Sequence, residues 1–181
     1  DDSFTFWVSD GDLSDSATVT LTIDPVNDAP VLPTVSDVAF NEDGSGSTSL
    51  SGADIDGDDL IFSISGGSDI TASLSGSDVS FSAPANYNGS EEFSVSVSDG
   101  EYSDSQNITV TVNAVNDAPV ATTGLSGTTN EDLSVVVSLS GSDIDNDALT
   151  FSLNSDATNG SVTLDGSFAT YTPDANYNGD D

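Results

Sequence analysis

The chain has 181 residues, of which 32 are Asp or Glu, and it contains no Lys, Arg, His or Cys, so its formal net charge is −32. Phosphate neutralisation needs Lys or Arg, which excludes nucleic acid and anionic membrane surfaces as direct partners; disulfides, thiolate metal sites, Cys or triad nucleophiles, Schiff bases and Lys–Asn isopeptide staples are excluded as well. Self-repulsion of this size opposes a compact state unless bound cations or high ionic strength offset it.

In chain order, the first pattern is Phe4, Phe6 and Val8 alternating with Thr5 and Trp7, followed by Thr18-Val-Thr20-Leu-Thr22. Alternation of this kind marks strands with one face buried, and it places Trp7 on the outer face. A proline-bounded stretch comes next, Pro25-Val26-Asn27-Asp28-Ala29-Pro30. Proline fixes φ and removes a backbone donor, so the stretch reads as a joint between folded units.

Beyond it, period-2 patterns predict strands over 35–40 and 48–50, then on Leu60/Phe62/Ile64, Ile70/Ala72/Leu74, Val79/Phe81, Phe93/Val95/Val97 and Ile108/Val110/Val112. Gly and Asp interrupt these runs at intervals of roughly 8–12 residues, the spacing of a β-sandwich. A helical stripe is absent, no run approaches the ~20 apolar residues of a membrane span, and the phased apolar positions argue against disorder.

The pattern then starts again. Phe93 to Gly100 repeats Phe4 to Gly11 at an offset of 89, and Ala114-Val115-Asn116-Asp117-Ala118-Pro119 repeats the first joint. The same offset relates Asn130-Glu131-Asp132 to Asn41-Glu42-Asp43, and Gly141–Asp145 to Gly52–Asp56. After one inserted residue, Asn176-Tyr177-Asn178-Gly179 repeats Asn86-Tyr87-Asn88-Gly89 at an offset of 90.

These matches divide the chain into the closing strands of one module (1–24), a linker (25–30), a complete module (31–113), a second linker (114–119) and the first part of a third module (120–181). Overlaying Asp180-Asp181 on Asp1-Asp2 restores the spacing, as if the sequence were a window on a longer array with a period of 179. The alternative is that residues 1–24 supply the missing strands to the 120–181 module of a neighbouring chain.

Acidic clusters recur with the modules: Asn41-Glu42-Asp43; Asp54-Ile-Asp56-Gly-Asp58-Asp59 and its echo Asp143-Ile-Asp145-Asn-Asp147; Asp99-Gly-Glu101 and its echo Asp10-Gly-Asp12; and the linker pairs. Turn chemistry alone favours Asp, Asn and Gly at such places. Yet alternate carboxylates of an Asp-x-Asp loop converge, and Ca²⁺ takes 6–8 oxygen ligands at roughly 2.3–2.6 Å, whereas Mg²⁺ keeps its waters. An EF-hand is rejected: Asp54–Asp59 lacks Gly at the sixth loop position, the closing Glu is missing and no helices flank it.

The order of a Glu before the second strand, Asp-x-Asp after it, a later Asp-Gly and Asn-Asp-Ala-Pro at the exit resembles cadherin repeats. It resembles more closely the cadherin-like tandem modules of large bacterial RTX-type surface adhesins. The resemblance covers essentially the whole chain and implies all-β, seven-stranded Greek-key sandwiches (cadherin-like/Ig-like) with Ca²⁺ at each junction.

Carried over position by position, the second junction would use Glu42, Asn116, Asp117, Asp143 and Asp145, and the first Asn27, Asp28, Asp54, Asp56 and Asp99. Glu131 and Asp10 would serve the junctions on either side. The linkers depart from the cadherin pattern, since Asn113 stands where the first copy has Asp24, which implies fewer or unequal ions per junction. Glu91 or Glu92 would replace the family's acidic residue between the fifth and sixth strands.

The expected function is therefore a calcium-rigidified stalk or filament on, or shed from, a bacterial surface. Its partners are neighbouring identical modules, with glycan or cell-surface binding left to distal domains. A second reading makes the modules themselves the adhesive element, with outward Trp7 stacking on sugar. Catalysis has little to work with beyond carboxylate pairs that recur per module, and outward Thr runs are ordinary on strands rather than a sign of ice binding.

Overall fold

The computed structural model describes residues 1–181 and divides into two compact units, Asp1–Asn113 and Ala114–Asp181. The first unit opens on a hairpin of β1 (Asp2–Ser9) and β2 (Ser14–Leu21), which pair only with each other, Phe4 opposite Val19 and Trp7 opposite Ser16.

The complete module follows as seven strands: β3 (Val38–Asn41), β4 (Ser45–Ser49), β5 (Ile61–Gly66), β6 (Thr71–Ser75), β7 (Asp78–Ser82), β8 (Gly89–Ser98) and β9 (Ser103–Asn113). They form two sheets, one in the order β3-β9-β8-β5 and the other β4-β7-β6. All neighbours are antiparallel except β3, which runs parallel to β9. Each strand predicted from the alternation is present, and strand order and pairing are those of an Ig-like sandwich.

The core sits between the two sheets, where the apolar members of each alternation meet. Val79, Phe81, Phe93, Val95, Val97, Ile108 and Val110 are fully buried, and Phe81 and Phe93 pack edge to face at 5.3 Å between ring centroids. The Ser and Thr members face outward, so ladders such as Ser63–Ser96 and Ser90–Thr111 are joined by hydroxyl hydrogen bonds.

The second unit repeats the first half of this plan. Its strands are β10 (Val120–Ala121), β11 (Val135–Ser138), β12 (Gly141–Ser142), β13 (Gly160–Asp165) and β14 (Phe168–Pro173). The sheet β11-β14-β13 corresponds to β4-β7-β6, and the pair β10-β12 corresponds to the bridge between Val31 and Ala53. Residues 125–130 and 149–153, which correspond to β3 and the start of β5, are not strands. In the complete module β3 pairs with β9 and β5 with β8. In the second unit 125–130 and 149–153 join no sheet.

Candidate functional site

The acidic loop between β4 and β5 is built on Asp54. Its Oδ1 accepts hydrogen bonds from the amides of Asp56 (2.9 Å), Gly57 (3.0 Å) and Asp58 (3.4 Å), wrapping the chain round the carboxylate. The wrap needs a left-handed residue, supplied by Gly57 with φ 82°. In the second unit Asn146 takes that conformation with φ 63°, and Asp143 Oδ1 accepts from the amides of Asp145 (3.0 Å) and Asp147 (3.2 Å). Asn tolerates this region better than most residues, so the exchange keeps the loop.

The linker docks on this loop in the same manner in both units. The amide of Asp28 donates to Asp56 Oδ2 at 2.8 Å, and the amide of Asp117 donates to Asp145 Oδ2 at 2.7 Å. In the first unit Asn27 Nδ2 also donates to Asp99 Oδ2 at 3.0 Å, which ties the linker to the turn between β8 and β9. Asn116 Nδ2 instead donates to the carbonyl of Asp117 at 2.9 Å. The structure thus brings together Asn27, Asp28, Asp54, Asp56 and Asp99 in one unit and Asn116, Asp117, Asp143 and Asp145 in the other.

The electrostatics of the first group are adverse without a cation. Desolvation, and then the negative charges of Asp54, Asp56, Asp99 and Asp59, raise Asp58 above the usual carboxylate range. Asp99 is held below that range: desolvation acts in the opposite sense, but the amides of Tyr102 and Glu101 and the side chain of Asn27 outweigh it. Asp54 Oδ2 is enclosed and has no hydrogen-bond donor. No three acidic side chains are already gathered as closely as a bound ion would require.

The remaining predicted residues are Glu42, Glu131 and Asp10. Glu42 is buried, 6% exposed, at the far end of the complete module, where its amide donates to the carbonyl of Asn113 at 2.9 Å. Its counterpart Glu131 is exposed on a turn. Asp10 caps the hairpin turn, and the amides of Leu13 and Asp12 lower its pKa.

Glu91 has a different role from the one the resemblance implied. Its carboxylate accepts from the amides of Ser68 (2.9 Å), Asp69 (3.0 Å) and Ile70 (3.0 Å) and from the Ser68 hydroxyl (2.8 Å). Asp181, offset by 90, does the same for the amides of Thr158 and Asn159, both at 2.9 Å. These carboxylates fasten a loop. The offset match between Glu91 and Asp181 was the only sequence signal that could have shown it.

The class is set by the two sheets and their strand order: tandem Ig-like β-sandwich modules. More narrowly, the chain belongs to the bacterial Ig domain family, which matches residues 27–111 and 116–181. No curated protein matches it.

Similar solved structures include titin domains Z1Z2 in complex with telethonin (13% identity, 84% of this chain and 85% of that one, TM-score 0.39). Others are the endo-fucoidan hydrolase MfFcnA4 (18% identity, 97% and 30%, TM-score 0.38) and domains 1–6 of the surface layer protein SbsC (15% identity, 97% and 25%, TM-score 0.39). The chain thus spans less than a third of the hydrolase and of the surface layer protein.

Proposed function

We propose that the chain is a structural segment of an extracellular bacterial surface protein, a row of Ig-like modules that Ca²⁺ stiffens at the joints. The observation that carries this is the repeated docking of a linker Asp amide on the second carboxylate of an Asp-x-Asp loop, at 2.8 Å and 2.7 Å in the two units. The loop suits an oxygen-ligated cation: Asp54 Oδ1 is fixed by backbone amides while Oδ2 is enclosed without a donor.

Asp54, Asp56, Asp58, Asp99 and the side chains of Asn27 and Asp28 would hold the ion in the first unit, and Asp143, Asp145, Asn116 and Asp117 in the second. The ion supplies the positive charge that the chain lacks and relieves the repulsion on Asp58. As in cadherin-like arrays, Glu42 and Glu131 would be the carboxylates that a preceding module adds to such sites. The residues of the chain do the rest by orienting the linker against the loop. Adhesion itself, to glycan or to a cell surface, is left to other parts of such a protein.

Extracellular sites of this kind bind at roughly 10⁻⁴–10⁻³ M. A calorimetric Ca²⁺ titration of the chain should show saturable binding in that range, and Asp54→Asn with Asp143→Asn should abolish it. Chelation with EGTA should lower the melting temperature and broaden the X-ray scattering profile. Identical melting and scattering with and without EGTA would overturn the calcium reading while leaving the modular one intact. A glycan array addresses the adhesive reading, for which exposed Trp7 is the one structural argument.

A further inference from the structure

The first segment of the complete module follows its last strand further than the β3–β9 ladder. Val38–Asn41 lie parallel to Val110–Asn113 at a constant offset of 72, and the amide of Glu42 prolongs that track onto the carbonyl of Asn113. The same register continues backwards through 32–37, where each bond to β9 uses a side chain. The amide of Leu32 donates to Asp104 Oδ2 at 2.9 Å, Gln106 Nε2 donates to the carbonyl of Val35 at 2.8 Å, and the amide of Thr109 donates to Asp37 Oδ1 at 2.7 Å. Their offsets are 72, 71 and 72.

Pro33 accounts for the change of bonding. It has no amide to give to a backbone ladder, and Val31 before it pairs with Ala53 instead of β9. Leu32, Val38 and Phe40 are buried and Val35 packs against the core, so the track is anchored by its apolar side chains as well.

We infer that Asp37, Asp104 and Gln106 lock 32–37 to β9 and so set how well the module withstands tension between its two linkers. This rests on the reading of the chain as a row of modules, in which load enters at 25–30 and leaves at 114–119. Because 32–41 and 104–113 are parallel, such load draws the first toward its start and the second toward its end. Every bond along the track is then strained at once and all must give way together. A pull applied to both from the same end breaks them one after another. Forced unfolding is governed by the unfolding barrier, so bonds that share the load raise that barrier, whereas in a sequential opening they add little. The lock differs between copies, since Ala17, which cannot make the bond, stands at the position of Gln106.

The test uses the 181-residue chain, which has no cysteine of its own, so introduced cysteines decide where load is applied. Val26→Cys with Ala114→Cys loads the track along its length. Val26→Cys with Glu101→Cys, in the turn that leads into β9, loads it from one end. All three positions are exposed. EGTA is present throughout, which keeps any ion at the joints, and with it the calcium reading, out of the comparison. Held at one force, the first chain should unfold many times more slowly than the second.

Gln106→Ala should speed unfolding of the first chain roughly fivefold, the equivalent of about 1 kcal/mol from its barrier, and leave the second nearly unchanged. Asp37→Ala should do the same, whereas loss of general stability would speed both chains alike. Equal rates in the two geometries, or substitutions that act equally on both or on neither, overturn the inference. The length released identifies the event as the opening of 31–113. A release that stops short of that module would instead overturn the modular reading, and the inference with it.

Discussion

Single carboxylates in this protein act mostly as acceptors for backbone amides. Glu91 shows the effect most strongly: the amides of Asp69 and Ser68, opposed by desolvation and helped by Ile70 and the Ser68 hydroxyl, hold its pKa at about 2 against an ordinary 4.5. A group whose folded pKa is depressed contributes stability above its unfolded pKa, and that contribution is lost as the folded pKa is approached from above. Glu91 therefore stabilises the module fully above about pH 4.5, and the effect fades between there and about 2. Glu91→Gln should lower the melting temperature by several degrees at pH 7 and make almost no difference near pH 2, as followed by circular dichroism. An offset independent of pH would show that the charge is not what fastens the loop. Asp37, Asp43 and Asp104 likewise accept amides of Thr109, Asn86 and Leu32. Nothing local in the sequence separates these from the joint carboxylates, because their donors lie between 43 and 72 residues away.

At the scale of strands, the period-2 alternation made all seven strands of the complete module legible, since each alternate side chain there has a core to enter. Alternation alone does not decide 149–153, where Leu149, Phe151 and Leu153 alternate as Leu60, Phe62 and Ile64 do yet form no strand. Its residue types match β5, but a strand also needs a neighbour, and the neighbour is set by distant chain; 127–130, Gly-Thr-Thr-Asn, does not carry the apolar pattern of Val38-Ala-Phe-Asn in β3. The same dependence predicts unequal costs at equal positions. Phe93→Ala empties a fully buried site packed on Phe81 and should cost about 3–5 kcal/mol, enough to unfold most of a module this small. Phe4→Ala at the matching position of the exposed hairpin should leave the urea midpoint of that module unchanged. Gly67 gives a second case. It has φ 74°, and a Cβ there would meet the Ile70 carbonyl oxygen and the Phe93 ring, so Gly67→Ala should destabilise by about 1–3 kcal/mol. A loss near zero in the same denaturation would mean that the turn after β5 relaxes freely.

For the molecule as a whole, the question is whether the charge of −32 is offset by diffuse screening or by bound ions. The two differ in what they depend on. Screening responds to ionic strength whatever the cation, as the Debye length falls from roughly 30 Å at 0.01 M to 3 Å at 1 M. Site binding responds to Ca²⁺ activity at constant ionic strength and saturates, adding RT ln(1 + [Ca²⁺]/Kd) to the stability of the form that binds. With Kd near 10⁻³ M, raising Ca²⁺ to about 10 mM should add about 1.4 kcal/mol per site. At ionic strength fixed near 0.15 M with NaCl, the melting temperature should therefore rise with Ca²⁺ and level off, and Mg²⁺ should produce a smaller rise. Asp143→Ala with Asp145→Ala should remove the part of the rise that belongs to the second unit and leave the 31–113 transition intact. It should also leave the NaCl dependence nearly as it was, because it deletes only two of 32 acidic residues. A melting temperature that tracks ionic strength alone, with Ca²⁺, Mg²⁺ and Na⁺ interchangeable, would assign the stabilisation to screening and deprive the joints of their ions.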